Sequence, residues 1–355
     1  MKLGRLIKRK AWVYLLVIVI AMSSAMLVGF KDSNDFRIVK NLDIFYTLFR
    51  EVNLYYVDQT NPEELIEKGI EGMLNSLDPY TKYIPEDQLK EFEFQTTGQY
   101  GGIGSMIRRD DNQVIIAEPY KGFPADKAGL RAGDVIIHIN DKPVKDKSLQ
   151  EVSDMLKGPP NSTFKITIKR PGNEEYIQKQ ITREIVTISN ISYKGMLNDG
   201  IAYIRLNGFT KNAGKETEAA LKELKDRHKI SGLVLDLRDN PGGLLGEAVN
   251  VSNIFVDKNQ TIVETRGKME QWNETYKTES KPIDPDIPLV VLVNHSSASA
   301  SEIVAGSLQD LDRAIVVGRR TYGKGLVQTT RPLSYKSKLK VTTAKYYIPS
   351  GRCIQ

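Results

Sequence analysis

At 355 residues the chain is too long for one small core and predicts two or three domains. Hydrophobic residues make up 40% and charged residues 26%, an ordinary globular balance. The formal charge of +6 is no sign of nucleic acid, because Lys2, Arg5, Lys8, Arg9 and Lys10 carry five of the six charges and leave the rest of the chain near +1.

Those cations form a basic segment, residues 1–10, ahead of an uncharged apolar run at 11–30. About 20 such residues suffice to span a bilayer. The flanking positives place 1–10 in the cytoplasm and send the remainder outward, so the chain is expected in the bacterial cell envelope, anchored in the inner membrane. A cleaved signal peptide competes, with Ser23-Ser24-Ala25 as its cleavage site, but the run exceeds a usual signal core. No cysteine follows the run to accept a lipid, and Cys353, the only cysteine, excludes an intrachain disulfide.

Residues 31–95 read as helical. Phe45, Leu48, Phe49 and Val52 repeat at helical spacing, as do Leu65, Ile66, Ile70 and Met73, and Asn61-Pro62-Glu63-Glu64 is a helix entry. From 96 to 175 short strands with glycine punctuation take over. Gly101-Gly102-Ile103-Gly104 precedes an alternating segment, Ala128 to Asp134 leads into a strand at 135–139, a short helix covers 149–157, and Phe164, Ile166 and Ile168 alternate along another strand.

From 176 to 355 strands and helices mix. A strand at 201–206 and an amphipathic helix at 214–228 come first. An apolar strand at 233–237 then runs into Arg238-Asp239-Asn240-Pro241-Gly242-Gly243, and one at 288–293 runs into a serine cluster. Apolar strand, sharp turn, then helix, occurring twice, predicts an α/β core with loops gathered at strand ends.

The stretch from Asn294 to Gln328 carries the chemistry. Ser299 lies among small residues ahead of a predicted helix at 302–311, where free N–H groups and the helix dipole favour developing negative charge. Lys324 stands between Gly323 and Gly325, and can accept a serine proton only when desolvation keeps it neutral. A capping box from Ser299 to Glu302 fits the same residues without any chemistry. A Ser-His-Asp arrangement finds little support: of the three histidines, His138 falls in a strand, His228 closes a helix, and His295 is too close to Ser299 in sequence. No metal-binding cluster or cofactor motif is present in the sequence.

Taken in order, six motifs resemble the carboxy-terminal processing proteases from about residue 42 onward: Leu77-Asp78-Pro79-Tyr80; Gly102-Ile103-Gly104; Ala128-Gly129-Leu130 with Gly133-Asp134; Asp236-Leu237-Arg238 with Asn240-Pro241-Gly242-Gly243; Ser297 to Glu302; and Gly323-Lys324-Gly325 with Val327-Gln328. The resemblance implies a multidomain α+β chain: membrane helix, helical segment, a β-rich PDZ domain with two helices, and an α/β core of the ClpP/crotonase type. It makes Ser299 the nucleophile, Lys324 (25 positions later) the base, and Gln328 the residue that orients the lysine. Ala300 N–H with Gly242 or Gly243 forms the oxyanion hole.

Gly102, Ile103 and Gly104 become the loop that holds the carboxylate of a polypeptide substrate with an apolar C-terminus. Lys157 stands where the family often has an arginine that couples the PDZ domain to the active site. Relatives continue past Arg352, so a chain ending at Gln355 is expected to lack C-terminal core elements. An inactive, membrane-anchored peptide-binding scaffold is the alternative, and a homo-oligomer or activating partner is left open.

Overall fold

A computed structural model describes residues 34–198 and 200–355, so the basic segment and the apolar run at 11–30 lie outside the described residues. Among the described residues, no helix is long and apolar enough to cross a membrane. The chain divides into two units, residues 1–73 and 74–355. The first holds α1 (Asn34–Tyr55) and most of α2 (Pro62–Asn75). Asn61 Oδ1 accepts from the N–H groups of Glu63 and Glu64 at 3.1 and 3.4 Å, so α2 starts as the entry motif dictates.

The helical reading of 31–95 holds only in part. Asp78 accepts from Tyr80 N–H, Thr81 N–H and the Thr81 hydroxyl, which turns the chain. β1 (Lys82–Ile84) follows and pairs with the last long strand, Lys82 opposite Lys340. Three residues are too few to show a period, which is why the strand is not visible in the sequence. α3 (Leu89–Thr97) then ends on Gly98 in the left-handed region.

β2 (Gln99–Gly102) leads into the glycine-punctuated domain. Its elements are β3 (Ser105–Asp110), β4 (Gln113–Pro119), α4 (Pro124–Lys127), β5 (Val135–Ile139), β6 (Lys142–Pro143), α5 (Leu149–Leu156), β7 (Thr163–Lys169) and β8 (Tyr176–Thr182). The strands form one antiparallel sheet in the order β3-β4-β5-β7-β8, with β6 beside β5. Val114, Ile116, Ile136, Phe164, Ile166 and Ile168 meet Val152 and Leu156 of α5 in its core. β3 is an edge strand with α5 beside it, so its outer side is free to pair.

β8 pairs with β7 along its whole length, so a boundary at 175 cuts through this domain. The exposed Gln178 and Gln180 leave β8 too polar to announce itself in the sequence. β9 (Glu184–Thr187) closes the domain by pairing with β2.

The remaining strands and helices make the α/β core. β10 (Ile191–Asn198) is antiparallel to β11 (Ile201–Leu206). After α6 (Ala213–Arg227) come β12 (Gly232–Asp236), α7 (Leu245–Ser252), β13 (Thr261–Gly267), β14 (Glu274–Lys277), β15 (Leu289–Val293), α8 (Ala300–Asp310) and β16 (Ile315–Gly318). β11, β12, β15 and β16 run parallel. Ile204, Leu206, Leu233, Leu235, Leu289 and Val291 are buried on one face and pack with Leu221, Val251, Ile303 and Leu308 from the helices.

A second sheet holds β17 (Leu326–Pro332) and β18 (Lys338–Tyr347), with β1, β13 and β14. The carboxyl ends of β12 and β15 carry the Arg238–Gly243 turn and the serine cluster, side by side, as the strand–turn–helix pattern predicts.

Arg183 joins α5 to the strand that leaves the domain. It is 8% exposed, and its guanidinium donates to Leu156 O, Met155 O and the Ser162 hydroxyl at 2.9, 2.8 and 3.0 Å. It thereby caps the carboxyl end of α5 while its plane lies over Phe164, 4.3 Å from the ring centroid. Arg183→Met should lower stability by roughly 2–3 kcal/mol, since it leaves buried helix carbonyls unpaired. Urea unfolding checks this, and an unchanged midpoint removes the capping role.

Candidate active site

Three serines of the cluster separate by what their hydroxyls do. Ser297 and Ser301, both fully buried, donate to Leu237 O and Asn240 O at 2.8 and 2.9 Å. They tie the serine turn to the Arg238–Gly243 turn. Ser299, between them, is half-buried and opens α8 in the capping-box position opposite Glu302, with no side-chain hydrogen bond of ordinary geometry. Its backbone sits at φ 55°, ψ −113°. A non-glycine residue there costs about 1–3 kcal/mol, a strain that persists at functional sites because the surroundings over-determine it.

Glu302 supplies much of that determination. The carboxylate is 3% exposed and accepts from Ser299 N–H at 2.7 Å, which makes the glutamate arm of the capping box. It also accepts from Gly323 N–H and Lys324 N–H at 2.6 and 2.9 Å. One side chain thus holds the serine turn and the lysine loop together. As a helix-start glutamate it was legible only in the first of these roles.

Gly242, at φ +95°, lies against the serine turn: a Cβ there would stand 2.6 Å from Ala298 O and 2.8 Å from Ala300 N, so no other residue fits. Its N–H donates to Asn240 Oδ1 at 2.9 Å. Gly243 N–H and Ala300 N–H have no hydrogen-bond partner among the described residues. The sequence leaves the choice between the glycines open, and hydrogen bonding leaves Gly243 N–H as the free donor.

The Lys324 ammonium makes no hydrogen bond or ion pair among the described residues, and its Nζ lies 4.7 Å from the centroid of the Tyr80 ring. Burial lowers its pKa, the positive charge of Lys340 lowers it further, and Glu302 opposes both. Tyr80 belongs to the Leu77–Tyr80 motif, whose place beside the lysine no spacing reveals. Gln328 is not oriented on Lys324: its amide donates to Leu326 O at 3.1 Å and to the Thr342 hydroxyl at 3.5 Å. Lys324 stands ahead of β17, which begins at Leu326, so the same-side geometry of an even strand does not extend to it.

At the PDZ domain, Ile103 O and Gly104 O accept from Ala125 and Tyr120 N–H, whereas Ile103 N–H and Gly104 N–H have no partner among the described residues. Gly102 pairs opposite Glu184 in the β2–β9 ribbon, so it frames the loop. Gly104 has φ +65°, and a Cβ there would stand 2.3 Å from the Phe123 side chain. Lys157 ends α5 with its Nζ 5.9 and 5.7 Å from the Phe94 and Tyr100 rings. Cys353 is half-buried and near enough to Tyr346 to affect its ionisation, so it lies by the core despite its distance in sequence.

A family model for peptidase family S41 matches residues 200–355, and one for the PDZ domain matches 115–170. A carboxy-terminal-processing protease of Bartonella bacilliformis is 38% identical over 91% of this chain and 74% of its own length. The chain belongs to peptidase family S41. It is a serine-type peptidase, akin to the carboxy-terminal processing proteases. A CtpA-like serine protease of Staphylococcus aureus is 38% identical over 88% of this chain, which spans 62% of that relative. The solved structure of a photosystem II D1 C-terminal processing protease is 34% identical, covering 87% of this chain and 83% of its own, with a TM-score of 0.47.

Glu302→Gln should disrupt this peptidase site without touching a reacting atom. One amide oxygen cannot accept three N–H groups, and the amide NH2 would face donors, so roughly 1–3 kcal/mol of stability is lost per orphaned group. Thermal unfolding with Ser299 labelling by a fluorophosphonate checks it. Normal stability and normal labelling together would remove the clamp.

Proposed function

We propose a membrane-anchored endopeptidase that recognises the C-terminal tails of envelope polypeptides through its PDZ domain and cleaves them by a Ser-Lys mechanism. The observation that carries the reading is Ser299: strained, with an uncommitted hydroxyl, beside two unpartnered N–H groups and joined through Glu302 to a desolvated lysine. Ser299 Oγ attacks the scissile carbonyl carbon while its proton passes to neutral Lys324 Nζ. Ala300 and Gly243 N–H hold the oxyanion. Collapse expels the amine, which takes the proton from Lys324, and water then hydrolyses the acyl-enzyme with Lys324 again as base. No cofactor or metal enters this scheme.

The uncharged run at 11–30 supports an inner-membrane anchor, with the catalytic part outside the cytoplasm. The parallel sheet with its serine turn at a strand end supports likening the core to the ClpP/crotonase type. For tail recognition, the support is the free Ile103 and Gly104 N–H groups at the start of an edge strand. A peptide added to β3 would place its carboxylate there, with apolar neighbours selecting an apolar last residue. Nothing observed favours the inactive scaffold.

Ser299→Ala should lower cleavage of an unstructured peptide roughly 10³-fold or more and leave tail binding intact. Because the neutral lysine is the active form and its pKa is lowered, the rate should rise with pH and level off below the ordinary lysine value. Lys324→Arg stays charged and should be inactive. A near-normal rate in either variant rejects the dyad.

Amidating the peptide's C-terminus removes the carboxylate and leaves the scissile bond alone. Cleavage should fall about tenfold or more, equivalent to about 1.4 kcal/mol of binding. Equal rates for acid and amide would leave the PDZ domain a spacer.

A further inference from the structure

Tyr346 occupies a place that the proposed mechanism does not use. Its side chain is 1% exposed, in the core between the second sheet and α8. Its N–H donates to Gly325 O at 3.0 Å, one residue beyond Lys324. Two residues on, Ile348 presses against Gly306 of α8, where a Cβ would stand 3.0 Å from Ile348 Cδ1. The tyrosine is therefore fixed between the lysine loop and the helix that Ser299 opens.

Its hydroxyl is one of only two buried side-chain polar atoms without a hydrogen-bond partner among the described residues. Such an orphan costs about 1–3 kcal/mol, which phenylalanine in the same space would avoid. The polar groups that bear on its ionisation are Ser299, Glu302, Cys353 and Tyr80, and of these the Ser299 side chain is the one within reach of a hydrogen bond, which is not formed here. Glu302 already accepts three N–H groups, and the ionisation of Tyr80 is affected most by Tyr322. Two uncommitted hydroxyls, Tyr346 and Ser299, are thus neighbours.

We propose that the Tyr346 hydroxyl is a positioning residue that donates a hydrogen bond to Ser299 Oγ in the reacting state. This rests on the Ser299–Lys324 reading and deepens it. A serine oxygen has one proton and two lone pairs. With the phenol O–H on one lone pair, the serine proton is left for Lys324 and the second lone pair for the carbonyl carbon. The same bond strengthens as Oγ gains negative charge during attack. Burial raises the phenol above the usual tyrosine range, so the donor proton is present wherever the enzyme works.

Tyr346→Phe removes only the hydroxyl. The proposal expects kcat to fall about tenfold, the worth of one hydrogen bond at a reacting atom, with KM unchanged and fluorophosphonate labelling of Ser299 slowed in step. It expects an unfolding temperature at or above that of the wild type, and a pH–rate midpoint that stays put, because Lys324 is untouched. Full activity in the variant overturns the proposal. So does activity lost together with stability, or with a shifted midpoint, since either marks a structural role. If wild-type Ser299 resists labelling and Ser299→Ala still cleaves, the parent reading has failed instead.

Discussion

The Glu302 carboxylate is the constraint on which the site depends. Its three N–H partners come from the serine turn and from a loop more than twenty residues further along the chain. A carboxylate at the first turn of α8 is also favoured by the helix dipole. Because the clamp acts on backbone, it sets where Ser299 and Lys324 stand while leaving both side chains uncommitted.

The strain at Ser299 needs more than one bond to hold it. Asn240 provides the rest: its carbonyl accepts from Ala298 N–H and from the Ser301 hydroxyl, and its side chain bonds Gly242 N–H and Leu206 O. The two turns at the ends of β12 and β15 therefore brace each other. Gly242 is the residue that lets them approach, and the bracing leaves Gly243 and Ala300 N–H without partners among the described residues.

The lysine is tuned by groups scattered along the chain. Tyr80 arrives from the segment before β1, held by Asp78 and by Thr342 N–H donating to the Thr81 hydroxyl at 3.2 Å. Lys340 arrives from β18. Burial and a like charge both favour the neutral amine, and the like charge is brought in by β18, which pairs with β1 across more than 250 residues of sequence. In the PDZ domain a comparable long-range closure ties Gly158 N–H to Gly101 O at 2.9 Å, so the end of α5 fixes the approach to the Gly102–Gly104 loop.

Local pattern made much of this legible. Alternating and 3.6-residue periods exposed the PDZ strands at 135–139 and 164–169 and the helices at 62–75 and 213–227, and strand–turn–helix twice over placed the serine cluster beside Arg238–Gly243. Ser299, Lys324 and Glu302 could be read as residues, since small neighbours, flanking glycines and helix-start spacing are properties of adjacent positions. The capping box at Ser299–Glu302 is present as the Ser-x-x-Glu pattern predicts, and the strained backbone of Ser299 is what the facing turn adds to it. The allegiance of β1 and β8, the partners of the Gln328 amide, the choice of Gly243 over Gly242, and the meeting of Tyr80 and Tyr346 with the site all depend on pairings distant in sequence. A periodicity is a sum over neighbours, whereas these are set by which surfaces the packed chain brings together.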